Sequence, residues 1–312
     1  MSSITEEKLI QTYKVFFNNY VEAGSQWMSI FSIRQMNPHT VEGKIVLWVR
    51  DWLNYLDGIA LLYSCGNTYA AKTLLRSCWE IYIQFKFFLS ARDEHIIYNK
   101  ILCIELVEMY RSITLQDKYY QKLVEQGNQE DAEFLKGYSA RYQEIYQKNK
   151  FLNKEQGEVY KKLYHQGLRK KWIYKWYGLY LAAQDGSRIN SINALSRSLY
   201  THQGKSLGEL NELIYGMLSA QAHGGYSRNG YYRQGEEYYL LPLRNLRGAG
   251  LVAMCVQIMF EDIWDTLENY FQGKVEVKNK ALEELLMEQR EYLGIINFWD
   301  KELTCGKIKK CT

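Results

Sequence analysis

Proline occurs only twice in this chain of 312 residues, at Pro38 and Pro242. Proline fixes φ and removes a backbone donor, so its scarcity leaves long stretches in which every residue can join an α-helix. Apolar residues recur in those stretches at helical rather than alternating spacing, which predicts an all-α chain. A chain of this size buries a large core without staples. The expected architecture is a multi-helix bundle forming a single helical domain over 1–312, with its core near 41–90 and 187–272 and a projecting helical hairpin at 93–150.

Residues 4–23 carry Leu9, Tyr13, Phe16, Phe17 and Tyr20 on one helical face, and Gly24 is the expected stop. After a connection containing Pro38, the apolar pattern resumes from Val41 to about Cys65. Thr68 to Ser90 is apolar around most of its circumference, which places it at the centre of the fold. The hairpin has Ile97, Ile101, Ile104, Val107 and Tyr110 on one arm, a turn near Gly127 and Asn128, and Phe134, Tyr138 and Tyr142 on the other. Its charged exterior suits arms that stand in solvent or pair with a second copy, so a homodimer is among the expected assemblies. Residues 150–187 read as less regular, and 187–200 as a short helix. Ser206 and Glu209 form a capping box for a helix over 207–223. Pro242 marks a boundary before a long apolar helix from about Leu243 to Phe271, and a charged helix over 276–293 precedes a lysine-bearing tail.

Composition excludes several function classes. The six cysteines form no CxxC pair and share no repeated spacing with histidine, so no metal, cofactor or disulfide framework is expected. Glu105 and Glu108 lack the Glu-x-x-His partners of a di-iron bundle. The start, MSSITEEKLIQTYK, has neither the basic nor the apolar region of an export signal, and the uncharged run Gly248–Phe260 is too short to span a bilayer. A cytoplasmic protein with no membrane partner is expected. A formal charge of +4 does not by itself specify nucleic-acid binding. GxSxG, Walker and HExxH motifs are absent.

Chemistry concentrates in YGMLSAQAHGGYSRNGYYRQGEEYY, residues 215–239. Tyr215, Ser219 and His223 are spaced by four and share one helical face. Gly224 and Gly225 end that helix, and a loop follows with Arg228, Tyr231, Tyr232 and Arg233. Arg76 and Glu80, also four apart, sit in the apolar Thr68–Ser90 helix, where charges need partners. A third segment, LRKKWIYKWYGLY at 168–180, interleaves cations with Trp172, Tyr174, Trp176 and Tyr177, as single-stranded nucleic acid favours.

The pairing of LLRSCWEIYIQFKFFL with YGMLSAQAHGG resembles a family of helical bacterial proteins classed as a domain of unknown function, in which an Arg-x-x-x-Glu helix and a Ser-x-x-x-His helix recur. The matching positions are Arg76, Glu80, Ser219 and His223, and the resemblance covers roughly 50–250. More distantly the arrangement is similar to the HEPN superfamily, many of whose members are metal-independent ribonucleases of toxin and phage-defence systems with an Arg-x(4–6)-His motif. Arg34–His39 and Arg197–His202 match that spacing, but His223 has no arginine five to seven residues before it. In a HEPN-like reading its cation comes from another helix, such as Arg76, or the motif has diverged.

Two functional readings follow. In the first the protein acts on RNA: His223 is the general base or acid, Arg76 stabilises the phosphorane, Glu80 orients them, and Tyr215 and Ser219 position phosphate. Arg228 and Arg233 grip the backbone and Tyr231 or Tyr232 stacks on a base. In the second, Arg76, Glu80, Ser219 and His223 form a structural cluster, and the tyrosine-rich loop binds a protein partner.

Overall fold

The computed structural model describes residues 6–30, 40–147, 155–169, 175–222, 231–234, 236–240, 246, 248–271 and 280–304. Helices α1 (Glu6–Ile30), α2 (Val41–Ser64), α3 (Thr68–Phe88), α4 (Glu94–Glu125), α5 (Gln129–Gln147) and α6 (Glu155–Arg169) come first. They are followed by α7 (Trp176–Asp185), α8 (Ile192–Ser196), α9 (Leu207–Ala222), α10 (Ala249–Phe271) and α11 (Lys280–Thr304). The fold is an all-α multi-helix bundle with one short antiparallel hairpin among the described residues, β1 (Tyr231–Gln234) on β2 (Glu237–Leu240).

The backbone divides into two compact units. One comprises residues 1–36, 46–87 and 196–312, and the other 37–45 and 88–195. The core of the first unit is aromatic. Phe17 stacks on Tyr63 with ring centroids 4.7 Å apart, Tyr20 meets Phe260 at 4.4 Å, and Trp27 meets Trp264 at 5.4 Å. All six are buried. Burial pushes the Tyr20 phenol far above its ordinary range, and the nearby Glu261 carboxylate adds to the effect.

Gly24 does not stop α1, which continues through it to Ile30. A side chain there would run into Leu53 of α2, so the glycine serves close approach of two helices rather than a turn. In α3, Leu75, Cys78, Trp79, Tyr82 and Ile83 are fully buried, in keeping with its apolar circumference. Asp262 of α10 is the polar anchor of this core. It accepts from the Tyr82 hydroxyl at 2.7 Å, pairs with Lys86 at 3.0 Å and receives the backbone N–H of His202.

The second unit is built on α4, which starts where Asp93 accepts from the His95 backbone N–H. Its first half, including Ile97, Ile101, Leu102 and Leu106, is buried, and α5, α6 and α7 pack on it. Gly127, at φ +72°, turns α4 into α5 where the hairpin was expected. Beyond Tyr110, which stacks on Tyr164 at 4.9 Å, most side chains from Arg111 to Gly137 are exposed. Lys100 is buried, donating to the Phe88 carbonyl at 3.3 Å and the Ser90 hydroxyl at 3.0 Å. Desolvation lowers its pKa to about 8. Lys44 pairs with the buried Glu105, so that carboxylate is engaged by an amine.

Other boundaries moved as well. Residues 150–187, read as less regular, contain α6 and α7, whereas 187–200 yields only the five-residue α8. Helix α10 begins at Ala249, after Gly248 at φ +74°, and α11 runs on to Thr304, well past the expected 293.

Candidate functional site

Helices α3 and α9 are brought together in antiparallel register by two pairs of side chains. The indole N–H of Trp79 donates to Asn211 Oδ1 at 3.0 Å, both residues fully buried. One turn earlier on α3 and one turn later on α9, Arg76 Nη2 donates to the Tyr215 hydroxyl at 2.7 Å. The guanidinium carbon also lies 4.8 Å from the Tyr215 ring centroid, within cation–π range. On its own helix, Arg76 Nε is 3.4 Å from Glu80 Oε1, the i, i+4 pair expected from the spacing. The Arg76 side chain is 17% exposed and that of Glu80 27%, so the cluster lies at the edge of solvent rather than sealed within the core.

The local sequence explains why α9 presents Tyr215 here. Ser206 caps its first turn by accepting from the Glu209 backbone N–H at 3.4 Å, as the capping box predicts. Leu207, Asn211, Ile214 and Leu218 form the buried stripe of α9, and Tyr215 lies at its edge. Ser219 lies one turn after Tyr215 within α9. His223 and Arg228 lie outside the described residues, and for Tyr231, Tyr232 and Arg233 the backbone is described, in β1.

Lys72 was missed. It stands four residues before Arg76 on the same stripe of α3, and its ammonium group reaches Gly248, where a side chain would collide with it. Lys72-x3-Arg76-x3-Glu80 was the available signal. The Asp262 cluster was missed too: Glu261 and Asp262 amid Phe260, Ile263 and Trp264 carried too little pattern to be singled out.

The Arg-x4-His matches do not form a unit in the described chain. Arg197 pairs with Glu212 at 3.7 Å, whereas His202 Nδ1 lies 3.0 Å from Asn269 Nδ2. Arg34 and His39 lie outside the described residues. In the basic aromatic segment, Trp176 and Tyr177 are buried at the start of α7 and offer no stacking surface, and 170–174 lie outside the described residues. Among the described residues no group of three or more His, Cys, Asp or Glu side chains is placed to hold a metal ion, and no helix is long and apolar enough to cross a membrane.

Residues 44–237 match DUF5677, a family of unknown function. The chain belongs to this family. The DUF5677 region contains all of α3 and α9, and with them Arg76, Glu80, Asn211, Tyr215, Ser219 and His223. Helices α1, α10 and α11 lie outside it, so the Asp262 anchor is not part of the DUF5677 match. No curated protein and no solved structure matches the chain.

Proposed function

We propose that this protein binds RNA at the face shared by α3 and α9 and cleaves it without a metal ion, acting as a HEPN-like effector of a bacterial defence or toxin system. The observation that carries this reading is the setting of Arg76. Its guanidinium is held at the edge of solvent by a carboxylate on its own helix and a phenol on the next, with Lys72 one turn along the same stripe. A cation fixed in advance needs little reorganisation when a phosphate oxygen arrives.

In the proposed step His223 removes the proton of a ribose 2′-hydroxyl. The 2′-oxygen forms a bond to phosphorus, the bond from phosphorus to the 5′-oxygen breaks, and a proton passes to that leaving oxygen. The products are a 2′,3′-cyclic phosphate and a 5′-hydroxyl end. Arg76 offsets charge building on the phosphoryl oxygens, Glu80 orients Arg76, and Tyr215 and Ser219 position the phosphate. Arg228 and Arg233 hold the backbone and Tyr231 or Tyr232 stacks on a base.

One observation favours a second reading. The Arg76–Tyr215 bond ties two helices together, as an interhelical clamp does. In that reading the protein is a non-catalytic scaffold whose tyrosine-rich segment binds a protein partner. Incubation of mixed-sequence RNA with the protein in EDTA separates the two. Cleavage by wild type and none by folded His223→Ala supports the nuclease; inactivity of both, with no RNA binding, selects the scaffold.

A further inference from the structure

Helix α11 presents two faces to different surroundings. One is buried: Gln289 and Ile296 are fully covered where α11 packs on α1 and α10, and Arg290 ties it to Glu261 at 3.1 Å. The other looks outward, where Met287 is 59% exposed, Ile295 44% and Phe298 52%. Met287, Glu291, Gly294, Ile295 and Phe298 are related by steps of three and four and therefore form one stripe. Gly294 lies in the middle of it with open space above its Cα. An amphipathic helix in water does not need this outward apolar stripe; a helix that meets another one does.

The charges on the stripe indicate which partner fits. Glu284 and Glu291 are exposed toward its start and Lys301 toward its end. We infer that α11 is a homodimerisation helix, pairing antiparallel with α11 of a second copy of this chain about a twofold axis. In one register Met287 lies opposite the partner's Phe298, Glu291 lies over the partner's Gly294, and Glu284 lies opposite the partner's Lys301. The twofold axis repeats each pairing, so one stripe supplies two apolar pairs, two opposite-charge pairs and two close approaches over glycine. Had Glu284 faced Glu284, like charges would have opposed the contact; the order of acid and base along α11 suits the antiparallel arrangement.

The test is sedimentation velocity of the full chain over a wide concentration range. Wild type forms a dimer that dissociates on dilution. Phe298→Glu raises the dissociation constant by about tenfold or more while the helical circular dichroism and thermal midpoint stay unchanged, a shift equal to about 1.4 kcal/mol or more. Glu284→Lys also weakens the dimer, and Lys301→Glu added to it restores association, an outcome that depends on the proposed register. A monomer at every concentration overturns the inference. So does a dimer that ignores Phe298→Glu but is lost with Phe134→Glu, because Phe134 is exposed on α5 of the other unit.

Discussion

Trp79 donates its indole N–H to Asn211 at 3.0 Å, and both side chains are fully buried. This bond lies directly beneath the Arg76–Tyr215 contact and sets the register in which α3 and α9 meet. Asn211→Ala leaves the indole donor without this acceptor and is expected to cost about 1–3 kcal/mol. Urea unfolding checks it: the midpoint falls while the slope is retained.

Asp262 holds a part-buried ammonium. Lys86 lies 3.0 Å from it and donates to Thr266 at 2.9 Å, with its side chain 11% exposed. Asp262→Ala removes the countercharge and is expected to cost about 3–5 kcal/mol. Adding Lys86→Met recovers part of that loss, as denaturant unfolding of the single and double variants will show.

Lys100 gives a pH dependence of definite sign. Burial lowers its pKa from 10.5 to about 8, so between those values the unfolded chain holds a proton that the folded chain has released. Stability contributed by this group therefore rises with pH from about 8 upward and is flat below it. The neighbouring Tyr180, whose ring centroid lies 5.5 Å from the Lys100 ammonium, has its phenol pKa raised by burial. Denaturation at pH 7, 8 and 9 is expected to show wild type gaining on Lys100→Met as pH increases.

Gly24 faces Leu53 across the α1–α2 contact. Gly24→Ala overpacks that contact at a cost of about 1–3 kcal/mol, although alanine is the better helix former. Leu53→Ala in the same chain makes room for the new methyl group, so the two losses fall short of additive in thermal unfolding.

The central helices were legible because their patterns are strong. The all-round apolar α3, the capping box at Ser206 and the Gly127 turn each left a local signature that the fold retains. Gly24 misled because glycine permits both a helix stop and a close helix contact, and only Leu53, twenty-nine residues away, distinguishes them. Tyrosines 231, 232, 238 and 239 read as loop, yet they lie in β1 and β2, with Tyr232 opposite Tyr239 and Tyr231 opposite Leu240, because strands of four residues are too short for an alternating pattern to stand out. Within the candidate site, the Arg76–Glu80 pair followed from spacing alone. Tyr215 as the acceptor for Arg76, and Asn211 beneath it, required the interhelical register, which no local pattern encodes.

The nuclease account is tested most directly by the ends of the RNA it produces. Mixed-sequence RNA incubated with the protein in EDTA is expected to yield fragments with 2′,3′-cyclic phosphate and 5′-hydroxyl ends. The rate should fall by about 10²–10³ with Arg76→Ala, a loss of transition-state charge stabilisation, and to background with His223→Ala. Intact RNA with wild type, or cleavage that persists at the wild-type rate in folded His223→Ala, would contradict it.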